Sequence, residues 1–191
     1  MHKLTRDFYL RDTVEAAKAA IGKILVHSTP HGIISGRIVE TEAYLRDDPA
    51  CHASRGMTRR NAVMFGEAGR AYVYFTYGLH YCLNFVTQPE GIAEAILIRA
   101  LEPLEGIDQM RRNRGKDHPR DLCGGPGKLT QALGIDISLN GEDLLGDRLC
   151  VLDDGTDVGE VVSRPRIGIK EATDRLWRFY SAAYVDWVSM R

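Results

Sequence analysis

Two pairs of strand-like runs, each pair separated by a short turn signal, dominate the pattern of this 191-residue sequence. The turns contain Pro30, His31 and Gly32 in the first pair and Tyr77 and Gly78 in the second. Runs rich in Ile, Val and aromatic residues on both sides of such turns predict β-hairpins. With one further run included, the predicted strands cover residues 23–28, 33–44, 71–75, 79–86 and 93–101. The core is therefore expected to be a largely antiparallel sheet.

Helical patterns flank these strands without alternating regularly with them. Residues 13–21 carry apolar positions at helical spacing behind a cap at Asp12 or Thr13, and Gly22 ends the pattern. The other predicted elements are helices over 106–113 and 128–133, weaker strands over 148–152 and 166–169, and an aromatic C-terminal segment over 177–187. This irregular order argues against a doubly wound parallel sheet. We expect one compact α+β domain over residues 1–191, with a curved, largely antiparallel sheet, flanking helices and a protruding β-hairpin.

Composition argues against membrane and secreted classes. The longest apolar stretch, residues 72–86, is interrupted by polar residues and is shorter than the roughly 20 residues that cross a bilayer. The N-terminus lacks the apolar core of a secretory signal, so we expect a cytoplasmic protein that does not engage a membrane. The cysteines at positions 51, 82, 123 and 150 form no C-x-x-C pair, so we expect reduced thiols and neither a disulfide framework nor a zinc site.

The distribution of charge is more informative than its sum. The formal net charge is −1, whereas phosphate-binding proteins usually carry a basic surplus. Basic residues nevertheless collect at positions 55, 59, 60 and 70 and again at 111, 112, 114, 116 and 120, while acidic residues collect between 143 and 160. These runs are compatible either with ordinary solvated surface or with one basic face that binds nucleic acid.

The strand predicted over 33–44 carries two candidate carboxylates. A two-residue period places Ile38, Glu40, Glu42 and Tyr44 on one face. On this segment alone, a solvated face of an antiparallel strand is the simpler interpretation. A functional carboxylate pair is the alternative.

Two further segments are candidates for contacts with nucleic acid. The turn signal places Tyr77 at or beside a hairpin tip, where an aromatic side chain either folds back on its strand or acts as a wedge between base pairs. The glycine-rich run from Cys123 to Lys128 leads into a predicted helix, so its backbone N–H groups and Lys128 are suited to a phosphate. The run lacks the first glycine of a Walker loop.

Several motifs together resemble the alkyladenine (3-methyladenine) DNA glycosylase family. They are GRIVETEAY at 36–44, YVYFTYG at 72–78 with Cys82 and Asn84, LIRALEPLEG at 97–106 and GPGKL at 125–129. The resemblance implies a monofunctional enzyme of base-excision repair. Such an enzyme flips alkylated or deaminated purines such as 3-methyladenine, 7-methylguanine or hypoxanthine out of duplex DNA and hydrolyses the N-glycosidic bond. It implies a monomer acting on damaged double-stranded DNA at the nucleoid, with no metal or organic cofactor.

The resemblance also implies a catalytic group. Glu42 matches the catalytic carboxylate, Arg99 the residue that helps hold the attacking water, and the backbone carbonyl of Ile167 the group that completes the water site. Cleavage of a nucleoside bond passes through a sugar with oxocarbenium character, so a carboxylate near C1′ can stabilise that charge and activate water. No acid that could protonate a neutral leaving base is evident.

The implied base pocket is aromatic. Tyr44 and His52 match residues that stack on the two faces of the flipped base, Tyr74 closes the edge, and Asn84 and Leu97 lie beside it. Such rings replace the stacking that an extruded base loses, and a cationic base gains further attraction. The loop between Tyr44 and His52 is one residue shorter than in vertebrate members of the family.

On the DNA side, the resemblance assigns Tyr77 to the gap left by the flipped base. Arg114 and Lys128, together with Arg59 or Arg60, match contacts to phosphates. Gly127 replaces a serine found in some members, which removes one candidate hydrogen bond to phosphate.

Four alternatives remain open at this point. A lesion sensor would flip bases without cutting, and a nucleosidase would act on free purine nucleosides. A bifunctional glycosylase would need an amine nucleophile, for which Lys128 and Lys170 are the nearby candidates, although both fit the surface better. Cys51 and His52 form at most half of a metal site, because no second pair follows at ligand spacing.

Overall fold

A large antiparallel sheet organises the computed structural model, which describes residues 1–76, 78 and 80–189. Its strands are β1 (His2–Lys3), β2 (Ile24–Thr29), β3 (Gly32–Tyr44), β4 (Ala71–Thr76), β5 (His80–Thr87), β6 (Glu94–Glu105), β7 (Leu149–Asp153), β8 (Val161–Arg164) and β9 (Arg178–Ser181). The helices are α1 (Arg6–Tyr9), α2 (Thr13–Ala20), α3 (Ile107–Arg114) and α4 (Pro126–Leu133). Short 3-10 turns cover Ala62–Phe65, Pro119–Asp121, Ile137–Leu139 and Ala182–Trp187. The expected α+β class is confirmed.

The strand order is β1-β7-β2-β3-β6-β5-β4, and the sheet branches at β3. One edge of β3 pairs with β6 along most of its length. The other edge pairs first with β2, through Gly32 to Arg37, and then with β9, through Glu40 to Glu42. The C-terminal half of β3 is therefore enclosed by strands on both sides, which is where its two glutamates lie.

Helix α2 covers one face of the sheet. Its N-terminus is capped by Asp12, whose side chain accepts hydrogen bonds from the N–H groups of Val14 and Glu15. Small residues, Ala16, Ala17 and Ala20, are fully buried beneath the helix and let it approach the sheet closely. The hydroxyl of Thr41 on β3 donates to the Ala17 carbonyl at 2.9 Å, so this residue points towards α2.

The alternation predicted for β3 is broken by a bulge. Ile38 pairs with Leu101 but Glu40 pairs with Ala100, so Val39 is an extra residue on β3; Arg99 is skipped on β6 in the same way. Ile38 consequently belongs to the main hydrophobic core together with Ala43. The expectation that Ile38 shares a face with Glu40 and Glu42 is wrong, because one inserted residue reverses the side to which the strand directs its side chains.

The other predicted hairpin, helices and strands are found with shifts of a few residues at their ends, with one exception. The strand predicted over 166–169 is wrong, since the nearby strand is β8 and ends at Arg164. Pro165 follows it and has no N–H to donate to a ladder. The N–H of Ile167 is instead used by the side chain of Glu42.

Tyr77 and Leu79, at the predicted tip of the β4–β5 hairpin, lie outside the described residues. No helix in the described ranges is long and apolar enough to cross a membrane.

Candidate active site

A cavity of about 460 Å³ opens on the face of the sheet opposite α2. Strands β3 to β6 form its floor, and the segments around residues 49–52 and 167–171 form its walls. Its lining includes Tyr44, His52, Tyr74, Asn84, Leu97 and Arg99. The structure thus brings together residues that are separated by as many as 127 positions in the sequence, from Tyr44 to Glu171.

Sheet register explains why these residues meet. Glu42 on β3 lies opposite Leu97 on β6, Leu97 lies opposite Asn84 on β5, and Asn84 lies opposite Tyr72 on β4. Directly paired residues of neighbouring antiparallel strands direct their side chains to the same face. One row across four strands therefore carries a carboxylate at one end and an aromatic hydroxyl at the other.

Glu42 lies fully buried behind the cavity wall. Its Oε1 accepts a hydrogen bond from the Ile167 N–H at 2.7 Å, and its Oε2 accepts one from the Tyr44 hydroxyl at 2.8 Å. Arg99 Nη1 lies 3.3 Å from the same Oε2. Each of these three partners also lines the cavity, so the carboxylate is one side chain removed from its interior.

The surroundings of Glu42 act on its pKa in opposite directions. Burial raises the pKa of the Glu42 carboxyl above its usual value, and the neighbouring Glu40 adds to this. Arg99, the Ile167 N–H and the Tyr44 hydroxyl oppose the rise by stabilising the ionised form. The net shift is upward.

The solvated-face interpretation of the two glutamates is wrong. Both Glu40 and Glu42 have 0% exposed surface. Strands β6 and β9 flank them on either side, and the segments that contain Ile167 and Ser189 cover their carboxylates.

Aromatic rings form one side of the cavity. The His52 and Tyr74 rings lie 4.5 Å apart, centroid to centroid, and the Tyr72 hydroxyl lies 3.0 Å from His52 Nδ1. Burial, reinforced by the charge of Arg60, lowers the pKa of His52 below its usual range. The imidazole is therefore neutral at physiological pH and presents an uncharged ring.

Asn84 is held in place by the neighbouring strand β4. Its Nδ2 donates a hydrogen bond to the Tyr72 carbonyl at 3.1 Å. The cross-strand pairing of Asn84 with Tyr72 brings the two groups together. This bond holds the amide in one position on the cavity floor.

The sequence comparisons decide the family. The family model described as "Methylpurine-DNA glycosylase (MPG)" matches residues 7–184. The chain belongs to the methylpurine-DNA glycosylase family. The resemblance inferred from the sequence motifs is confirmed, and membership places the chain among DNA glycosylases that act in base-excision repair of alkylated bases.

Similar proteins from several bacteria share most of the chain. A protein of Chlorobaculum tepidum is 52% identical over 186 residues, which cover 95% of this chain and 88% of the relative. A protein of Carboxydothermus hydrogenoformans is 52% identical over 179 residues, covering 93% and 94%. A protein of Francisella tularensis is 51% identical over 172 residues, covering 88% and 89%. Each is named "Putative 3-methyladenine DNA glycosylase".

The predicted DNA-contacting cations fall into two groups along the chain, Arg59 and Arg60 before β4, and Arg114 and Lys128 in α3 and α4. Arg60 is exposed, donates to the Phe75 carbonyl at 3.0 Å and has its guanidinium carbon 5.0 Å from the centroid of the Tyr74 ring. The neighbouring Arg59 is exposed as well. Tyr77, assigned to the gap in the duplex, lies outside the described residues.

The second pair of cations lies near helices α3 and α4. Lys128 is in the first turn of α4, two residues after Pro126, which lines the cavity. Arg114, the last residue of α3, bonds to the Gln131 side chain and to the Asp121 carbonyl. A Cβ atom at Gly127 would lie 2.9 Å from His80 Cβ, so His80 occupies the space that a serine at this position would need.

Two buried ion pairs beside the site were not predicted from the sequence. Arg166 forms a fully buried, two-pronged ion pair with Asp48 and lies 4.7 Å from the centroid of the Tyr44 ring. Arg178 forms a buried ion pair with Glu40. A charged residue inside an otherwise aromatic strand, as Arg178 is between Trp177 and Phe179, was the available signal for a buried partner.

Proposed function

We propose that this chain is a monofunctional DNA glycosylase that hydrolyses the N-glycosidic bond of alkylated or deaminated purines flipped out of duplex DNA. The observation that carries the proposal is the buried Glu42 carboxylate, held by three groups that all line an aromatic cavity. A carboxylate next to a cavity with aromatic walls suits a reaction in which positive charge develops on a sugar beside a bound base.

Glu42 is proposed as the general base. As the bond between C1′ and the purine nitrogen breaks, its electron pair leaves with the base and the sugar becomes an oxocarbenium ion. Water then adds its oxygen to C1′ and transfers a proton to Glu42. The products are a free purine and an abasic site. Arg99 is proposed to orient this water, and the Ile167 backbone, whose N–H bonds Glu42, to complete its site.

The nature of the leaving base sets the demand for acid catalysis. A cationic base such as 3-methyladenine leaves as a neutral molecule and needs no proton. Hypoxanthine must gain one on a ring nitrogen to leave as a neutral molecule, and the neutral His52 is not placed in that role. We therefore propose that cationic purines react faster than hypoxanthine.

Base recognition is proposed to rest on stacking and exclusion. Tyr44 and His52 would face the two sides of the flipped purine, with Tyr74 at its edge and Leu97 beneath it. The volume of about 460 Å³ is large enough for one purine. Asn84 would stand against the exocyclic amino group that distinguishes guanine from hypoxanthine.

Binding of the duplex is proposed to use the cations around the cavity. Arg59, Arg60, Arg114 and Lys128 would contact phosphates, and Tyr77 would fill the space that the flipped base leaves. The enzyme would act as a monomer at the nucleoid of the cytoplasm.

An assay on three substrates tests the proposal. Wild-type protein is incubated with a duplex containing one hypoxanthine, with the matching undamaged duplex and with free inosine. We expect free hypoxanthine and an abasic site from the first substrate alone. Binding without base release would indicate a lesion sensor, and hydrolysis of inosine at a comparable rate would indicate a nucleosidase.

The absence of lyase chemistry needs a separate measurement. Lys170 is exposed and lines the cavity, so it is the amine best placed to form a Schiff base with the abasic sugar. We expect no covalent protein–DNA product when borohydride is added during turnover, and strand cleavage only after alkali. A trapped product that disappears in Lys170→Ala would overturn the monofunctional assignment.

A further inference from the structure

Glu40 is buried two residues before Glu42, and its hydrogen-bond and ion-pair partners among the described residues are all donors. Its Oε1 accepts a hydrogen bond from Arg178 Nη1 at 2.9 Å, and Arg99 Nε lies 3.4 Å from the same oxygen. Its Oε2 accepts a hydrogen bond from the Ser189 N–H at 2.7 Å. This carboxylate therefore joins β3, β6, β9 and the C-terminal segment at one point.

Arg99 is shared between the two glutamates. Its Nε faces Glu40, its Nη1 lies 3.3 Å from Glu42, and its Nη2 donates to the Ser189 hydroxyl at 3.2 Å. Glu42 contacts only one edge of the guanidinium, so it does not fix the plane of the group. The Ser189 hydroxyl accepts a hydrogen bond from Nη2, whereas Glu40 holds Nε by charge alone, since Nε makes no hydrogen bond with the described residues.

The charges of this cluster balance. Glu40 and Glu42 supply two negative charges, and Arg99 and Arg178 supply two positive charges, with at most 7% of any of these residues exposed. In such a buried cluster, loss of one charge leaves an opposite charge uncompensated, and this strongly destabilises the cluster. Removal of Glu40 alone would leave both arginines facing Glu42.

The groups that face Glu42 come from several elements. They are Tyr44 and Glu40 on β3, Arg99 on β6, Cys82 on β5, the Ile167 N–H and, across the β3–β9 ladder, Arg178. Among these, Glu40 is the other carboxylate. Its charge is therefore the one that opposes ionisation of Glu42 while it also holds Arg99.

We propose that Glu40 is a positioning residue, which fixes Arg99 beside Glu42 and ties the C-terminal segment to the site through Ser189. Two of the three partners of Glu40, Arg178 and the Ser189 N–H, lie outside the cavity lining, so its effect on the reaction passes through Arg99 and through its charge. This inference rests on the proposed role of Glu42.

Glu40→Gln is the informative substitution. A side-chain amide has one acceptor oxygen and one donor nitrogen, so in either orientation its NH₂ meets a donor, from Arg178 or from Ser189. We expect single-turnover excision of hypoxanthine from a duplex to fall by about tenfold to hundredfold, because Arg99 shifts. We also expect the acidic limb of the pH–rate profile to move to lower pH, since Glu42 then ionises beside Arg99 and Arg178 with no second carboxylate to oppose it.

Two further variants separate charge from position. Glu40→Asp keeps the charge, so its acidic limb should stay near that of the wild type. Ser189→Ala keeps both carboxylates and removes one bond to Arg99, so kcat should fall by about threefold to tenfold with KM and the acidic limb unchanged. Glu102→Gln is the matched control, since Glu102 lies on β6 beside Arg37, outside the cluster, and should leave rate and limb unchanged.

A direct titration distinguishes failure of this inference from failure of the proposed function. The ¹³C carboxyl signal of Glu42, assigned by its loss in Glu42→Gln, is followed against pH in the wild type and in Glu40→Gln. A lower midpoint in Glu40→Gln is expected whether or not excision is detected. Overlapping curves for wild type and Glu40→Gln, or an unchanged kcat in Ser189→Ala, would overturn the inference. A wild-type protein that releases no damaged base would overturn the proposed function instead.

Discussion

Burial of an ionised Glu42 costs free energy that its neighbours only partly offset. Two hydrogen bonds and the charge of Arg99 favour the carboxylate, but burial and Glu40 disfavour it, and the pKa rises. A base with a raised pKa binds the proton of water more strongly than an ordinary glutamate does. Glu42 is therefore a stronger base than an exposed glutamate, and its ionised form is correspondingly less stable.

The raised pKa of Glu42 predicts an acidic limb in the excision rate. Glu42 must be ionised to accept a proton, so the rate should fall as pH falls through its raised pKa, with a midpoint above the usual 4.5. Single-turnover excision of hypoxanthine between pH 4 and 9 measures this midpoint, with circular dichroism as the check on folding. A rate that stays constant down to pH 4.5 would contradict the assignment.

Asn84 predicts how the site discriminates against guanine. The bond from its amide to the Tyr72 carbonyl prevents the side chain from swinging away from an added amino group. Excluding such a group by steric clash or by an unpaired amine can cost several kcal/mol. Asn84→Ala or Asn84→Ser should therefore raise excision of guanine relative to hypoxanthine, each placed opposite thymine, and should be mutagenic in growing cells.

Single-turnover rates of these variants against the wild type provide the test. Discrimination would lie elsewhere in the cavity if the guanine-to-hypoxanthine ratio stayed the same, and Leu97 would be the next residue to substitute.

Helices and hairpins whose ends are set by neighbouring residues could be predicted from local patterns in the sequence. Helix α2 follows from the Asp12 cap and the Gly22 stop, and the β2–β3 hairpin follows from its alternation and turn. The bulges at Val39 and Arg99 and the irregular segment at Ile167 were not predictable in this way. They depend on where a backbone N–H finds its partner, and that partner is far along the chain.

The same division applies to the candidate site. Glu42, Tyr44 and Arg99 could be selected because they lie in recognisable motifs, and the sheet register then brings them together. The buried ion pair between Arg166 and Asp48 could not, because the two residues are 118 positions apart and no pattern in the sequence pairs them. Arg166 also donates to the Ala43 carbonyl, so it joins the end of β3 to the loop that carries His52.

This ion pair predicts a large loss of stability in Asp48→Asn. The substitution leaves the buried Arg166 charge uncompensated, which typically costs about 3–5 kcal/mol. Urea unfolding measures the change, and Asp147→Asn, which removes a fully exposed partner of Lys3, is the control expected to leave the midpoint unchanged. Equal midpoints for Asp48→Asn and the wild type would show that Arg166 is satisfied without the carboxylate.

At the scale of the whole molecule, ion pairing explains how a chain of net charge −1 can bind DNA. Many acidic residues near the β1–β7–β2 side of the sheet already pair with cations, as Asp147 does with Lys3 and Asp153 with Lys23. Among the described residues, no carboxylate lies within ion-pair distance of Arg59, Arg60, Arg114 or Lys128. Their charge is available to phosphates.

The uncompensated cations predict a steep dependence of binding on salt. Each phosphate contact contributes about −0.9 to the slope of log K against log salt concentration. Binding of Glu42→Gln to a hypoxanthine duplex should weaken accordingly when it is measured from 50 to 200 mM salt. Adding Arg60→Ala should make the slope less steep by about the value of one phosphate contact. Affinity that does not change with salt would contradict a phosphate-binding face.

Whether Glu42 activates water for cleavage at C1′ is decided by one comparison of two proteins. Single-turnover excision of hypoxanthine from a duplex is measured for the wild type and for Glu42→Gln, alongside the affinity of each for that duplex. Glu42→Gln keeps the shape of the side chain and removes its charge, so excision should fall by about a hundredfold to ten thousandfold while affinity stays within about threefold. Cleavage by Glu42→Gln at the wild-type rate would contradict the account.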